Sequence, residues 1–130
     1  MIRVVGLGKL AIASLIAKNI DRKTLVICPP GLIGERNVQN PTGWYEYIYN
    51  FEINGEVESR GKLIDIAESI DKRNVEVVII DEAHYYRNQD TEDYEALLKI
   101  CRDRIVILTY LTHDQQTLQD YKYPIPRNSN

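Results

Sequence analysis

Val75-Glu76-Val77-Val78-Ile79-Ile80-Asp81-Glu82-Ala83-His84 is a short apolar run that ends abruptly in two carboxylates and a histidine. The β-branched residues Val77 to Ile80 suit a strand buried on both faces, as in the parallel sheet of an α/β domain. A buried strand gives no reason for Asp-Glu at its carboxyl end. Ligands of open α/β sheets bind in the crevice outside those ends, where two acids can hold a divalent metal and orient a water. Taken alone, Asp81-Glu82 reads more simply as a strand running out into a solvated acidic turn. What changes the balance is Gly6-Leu7-Gly8-Lys9, far upstream at the start of a helix.

The elements around that strand follow from period and punctuation. Ile2 to Val5 suits a first strand, and Leu10 to Ile20 a helix whose apolar face is Leu10, Ile12, Ala13, Leu15, Ile16 and Ile20. Thr24 to Cys28 reads as a second buried strand, stopped by Pro29-Pro30-Gly31. Residues 31 to 43 are loop-like. Trp44 to Phe51 fits either period, and the loops flanking it favour a helix; its aromatics read as packing rather than as a base-stacking platform. Glu52 to Ser59 is a short strand or an irregular connection. Gly61 to Arg73 is expected to be a helix with Leu63, Ile66, Ala67 and Ile70 inward. A polar loop from Tyr85 to Asp90 follows the central strand, and Asp90 suits the N-cap of a helix to Cys101 with Tyr94, Leu97, Leu98 and Cys101 inward. Arg104 to Thr109 is a last buried strand, and the end from Lys122 to Asn130 is expected to be poorly ordered.

Strands alternating with helices of this length indicate βαβ units on a parallel sheet. A chain of 130 residues suits one domain with a real core. With 44% hydrophobic and 27% charged residues it has the composition of a soluble globular protein. A net charge of −3 gives no basic footprint from which to argue nucleic-acid binding. Cys28 and Cys101 lack metal-ligand spacing and read as buried thiols of a reducing compartment. The apolar runs fall short of the roughly 20 residues a membrane span needs, so a cytoplasmic, intracellular protein is expected.

Two phosphate-binding readings compete for the glycine turn. Gly6-Leu7-Gly8-Lys9-Leu10-Ala11 fits the dinucleotide fingerprint G-x-G-x-x-A, but the acid which that reading needs after the second strand is replaced by Cys28-Pro29-Pro30. In the P-loop reading, glycine amides and a helix N-terminus cradle phosphates and Lys9 neutralises them. The full P-loop pattern is not met: its first glycine falls at Arg3, and Leu10 stands where a magnesium-binding hydroxyl belongs. A nucleoside triphosphatase needs a phosphate cradle, a cation and an acid to orient water. Lys9 and Asp81-Glu82 together can supply these, whereas a nicotinamide site has no use for Asp-Glu-Ala-His.

Gly6-Leu7-Gly8-Lys9, Cys28-Pro29-Pro30 and Asp81-Glu82-Ala83-His84, in this order, resemble the first RecA-like lobe of superfamily 2 helicases, most closely the Snf-type DNA translocases, across residues 6 to 109. The resemblance implies a three-layer parallel sheet with helices on both faces, a RecA-like P-loop NTPase core. It implies ATP and Mg2+ as ligands, with Gly6, Gly8 and Lys9 binding nucleotide. Asp81 would coordinate magnesium, Glu82 would polarise the attacking water, and His84 would couple the site to neighbouring motifs. Residues 1 to 110 would form the lobe and 111 to 130 a polar, partly disordered tail. DNA or RNA would be engaged only with a second RecA-like lobe, which also supplies the arginines that complete the ATP site. Departures accompany the likeness: Leu10 in place of the hydroxyl, and Thr109-Tyr110-Leu111-Thr112-His113, a partial match to the motif that links hydrolysis to DNA movement. Hydrolysis by this chain alone is therefore expected to be very slow or nil. The alternative is a non-catalytic α/β module that kept the fold and works through protein contacts. A face left open where a second lobe docks makes self-association an expectation too.

Overall fold

A computed structural model describes residues 1–88 and 91–110. Five strands form one parallel sheet: β1 (Ile2–Val5), β2 (Thr24–Cys28), β3 (Gly55–Ser59), β4 (Val77–Ile80) and β5 (Ile105–Tyr110), in the spatial order β1-β5-β4-β2-β3. Four helices connect them: α1 (Lys9–Ile20), α2 (Gly43–Asn50), α3 (Leu63–Ser69) and α4 (Thr91–Cys101). The chain steps one way across the sheet from β1 to β2 to β3, then back through β4 to β5. Right-handed crossovers put the helices of the outward leg on one face and those of the return leg on the other.

Burial follows this division. Along β4, Val78 and Ile80 pack with Leu63, Ile66, Leu97 and Ile100 of α3 and α4. Val77 and Ile79 pack with Ala13, Ala17, Trp44 and Ile48 of α1 and α2. Successive side chains of a strand alternate between faces, so a strand with a helical layer on each side must be apolar at every position. The fold is thus the three-layer α/β arrangement, with β4 between β5 and β2 at its centre.

Several local expectations are corrected. On α1 the buried residues are the small ones, Ala13, Ser14 and Ala17, while Ile12 and Leu15 are 45% and 53% exposed. Small side chains let α1 lie close to the sheet; Ile12 and Leu15 are left facing outward, while Leu10, Ile16 and Ile20 are partly buried against the core as expected. The expected helix over 61–73 is broken into a 3₁₀ turn at Arg60–Lys62, α3, and a second 3₁₀ turn at Ile70–Lys72. Ser69 contributes to the break by donating its hydroxyl back to the carbonyls of Asp65 and Ile66. In α4 the inward face is Ala96, Leu97, Ile100 and Cys101, and Leu98 is exposed. The Tyr85–Asp90 loop is instead a 3₁₀ helix over Ala83–Asn88. The 44–51 aromatic stretch is helical as expected. The proposed N-cap Asp90, the Leu111-Thr112-His113 part of the partial motif, and the expected tail lie outside the described residues. Among those described, no helix is long and apolar enough to cross a membrane.

Candidate functional site

The carboxyl ends of β1, β4 and β5 meet at one rim of the sheet, and the predicted site residues meet with them. Gly6 and Gly8 turn the chain from β1 into α1 with φ of 96° and 76°, left-handed values that favour glycine. A side chain at either would meet nothing within 4 Å, so the backbone of this turn faces open space. Lys9, the first residue of α1, donates from Nζ to Glu82 Oε1 at 3.0 Å, across 73 positions of sequence. Their side chains are 15% and 22% exposed, so the pair is partly shielded but open to a competitor.

Glu82 is held from both ends. Its backbone is left-handed, with φ of 54°, an unfavourable conformation for a residue with a side chain. Its amide donates to Asp81 Oδ1 at 2.9 Å and to Thr109 Oγ1 at 3.1 Å. Its carboxylate lies between Lys9 and His84, whose Nε2 is 3.2 Å from Oε2. Burial, reinforced by the charges of Lys9 and Arg87, lowers the His84 pKa below its usual value despite the nearby Glu82 carboxylate. A neutral His84 whose Nδ1 is buried without a hydrogen bond among the described residues carries its proton on Nε2, directed at Glu82.

Asp81 is fully buried. Its Oδ1 accepts from the Glu82 amide and from the Thr109 hydroxyl, and its Oδ2 accepts from Trp44 Nε1 at 2.9 Å. The role of Asp81 as a magnesium ligand does not fit this arrangement. Three protein donors already occupy both oxygens of the carboxylate and shield it from solvent, whereas magnesium is held by open carboxylates and keeps several waters.

Trp44 is the site residue that sequence reasoning missed, and Thr109 reads in sequence only as the start of a partial motif, not as a partner of Asp81 and Glu82. Trp44 reads as packing by its period, and nothing in its neighbourhood signals that its indole reaches an acid 37 positions away. Thr109 is the last residue of the expected strand, on a β5 register beside β1 and β4. Tyr86 and Arg87 also depart from a surface loop: they are 1% and 2% exposed, with the Arg87 guanidinium 5.2 Å from the centre of the Tyr110 ring. Cys28 is buried beneath this rim, and desolvation first, then the Asp81 charge, pushes its thiol pKa up to about 12. It is an inert core thiol. A cavity of about 560 Å³ lined by Arg22, Glu76, Arg102 and Arg104 lies at the opposite rim and shares no residue with this site.

No family model matches the sequence, and no curated protein matches it. Among solved structures the chain is similar to the Sulfolobus solfataricus SWI2/SNF2 ATPase core in complex with dsDNA, with a TM-score of 0.57 and 20% identity over 92% of this chain. The likeness is one of fold. This chain covers 29% of that protein's length. The sheet is thereby of the RecA-like kind that the resemblance implied.

Proposed function

We propose that this chain is the ATP-binding lobe of a Snf-like superfamily 2 helicase or DNA translocase, formed by residues 1 to 110. The observation that carries the reading is the Lys9–Glu82 contact at the carboxyl rim of the sheet. Lys9 and Glu82, from segments far apart in sequence, lie at hydrogen-bond distance beside an open glycine turn, which suits the roles of phosphate cation and water-orienting acid. That turn and the amides of the first turn of α1 suit phosphate oxygens. Lys9 would exchange its Glu82 partner for phosphate, and Glu82, released, would orient a water. His84, hydrogen-bonded to the same carboxylate, would register that exchange. Bound ATP would supply the phosphoanhydride whose cleavage drives movement along nucleic acid.

Hydrolysis coupled to movement on DNA or RNA belongs to the two-lobe enzyme, because a catalytic arginine from the second lobe contributes about 10³–10⁵ in rate. The buried free thiols Cys28 and Cys101 support a reducing, intracellular setting. A phosphate-release assay tests this dependence on a second lobe. Turnover by the chain alone is expected well below roughly 1 per second; faster turnover, abolished by Glu82→Gln, contradicts it.

One observation favours a second reading, a non-catalytic module acting through protein contacts. Asp81 is sealed by Trp44 and Thr109, and Leu10 offers no hydroxyl. Chemistry would then be lost while the fold and the ion pair persist. A chain that binds no nucleotide at all supports this reading.

A further inference from the structure

Trp44 is the sole tryptophan of the chain and is fully buried. Its one polar atom is a donor, which must find a partner if it is buried. That partner is Asp81 Oδ2. The indole is brought there by a closed loop whose backbone leaves little freedom. Gly34 and Gly43 have φ of 83° and 57°; a side chain on Gly34 would come 1.8 Å from the Thr42 carbonyl oxygen, and one on Gly43 2.6 Å from that of Leu32. Glu35 N–H donates to Thr42 Oγ1 at 2.8 Å across the loop's neck. The indole position is therefore set by a backbone closure just before α2, independently of the strand that carries Asp81.

We propose that Trp44 is the positioning residue of the acid pair. Its N–H holds the Asp81 carboxylate in the orientation that accepts the Glu82 amide, which keeps Glu82 in its left-handed turn facing Lys9. Asp81 is an anchor for Glu82 and not a seat for a cation. A displacement of the loop before α2 would reach Glu82 through two successive hydrogen bonds, both made to the Asp81 carboxylate. This inference stands whether or not the lobe takes up a nucleotide.

In a ¹H–¹⁵N spectrum the intact chain gives one indole resonance. Asp81→Asn is expected to move it upfield, because a bond to a charged acceptor is stronger than one to an amide oxygen. Millimolar magnesium chloride alone is expected to leave the wild-type resonance in place. Trp44→Phe keeps the ring but drops the donor, and is expected to shift the Glu82 amide and speed its hydrogen exchange roughly tenfold, with the Leu25 and Val106 amides unchanged. A purely packing role for Trp44 would leave the Glu82 amide where it was. The proposal is overturned if magnesium moves the wild-type indole resonance upfield, or if Trp44→Phe leaves the Glu82 amide unmoved. Should Asp81→Asn not fold, the other two measurements decide the matter.

Discussion

Lys9 Nζ and Glu82 Oε1, 3.0 Å apart, tie the first turn of α1 to the end of β4. The pair is more shielded than a surface bridge and less than a core one. A double-mutant cycle with Lys9→Met and Glu82→Gln in urea is expected to give a coupling of about 1 kcal/mol. A coupling near zero would mean that the contact contributes nothing to folding.

Asp81→Ala removes the acceptor of three donors at once. The Trp44 indole and the Thr109 hydroxyl are then buried without it. The expected loss is about 3–5 kcal/mol, the range for breaking a buried charged network. Asp81→Asn, which keeps an acceptor oxygen and the shape, should cost less. Urea midpoints of the two variants compare them directly.

Acid should act in two steps. His84 is held below its usual value of 6.5 in the fold, mainly by burial. Between the two values the unfolded chain binds more protons, so stability falls as pH drops below 6.5 and is complete above it. Glu56 is held below its usual 4.5 by a hydrogen bond from Arg73, so its contribution is present above 4.5 and is lost further down, through the folded value. His84→Gln should flatten the first step and leave the second. Thermal midpoints from pH 7 down to about pH 2 would show it, and an unchanged first step would contradict the assignment.

Arg73 joins the end of the α3 segment to the edge strand β3, with Nη2 at 2.9 Å from both Glu56 and Glu58. Arg73→Met leaves two like charges on one face of β3. With Glu56 and Glu58 40% and 29% exposed, screening limits the expected cost to about 1 kcal/mol. The difference from wild type should shrink at high salt.

The sequence carried the sheet through runs such as Val77–Ile80, apolar at every position because each face of β4 has its own helical layer. It carried the site through residue types whose chemistry has few structural uses, such as Lys9 after a glycine turn and Asp-Glu after a buried strand. It did not carry the Trp44–Asp81 bond. An indole has the same helical period whether its N–H meets solvent or an acid, and the partner is chosen by the Gly34–Gly43 closure, which is tertiary. The exposure of Ile12 and Leu15 was hidden for a related reason. Period marks the apolar residues of α1, but the closeness of its approach to the sheet decides which of them are covered.

The central claim is that Lys9 is a phosphate ligand held in reserve by Glu82. Calorimetric titration of magnesium-ATP into the intact chain tests it most directly, with Lys9→Ala beside the wild type. The expected result is saturable binding by wild type that Lys9→Ala weakens at least roughly tenfold, a loss of about 1.4 kcal/mol. Equal binding by both proteins, or none by the wild type at millimolar nucleotide, would contradict the account.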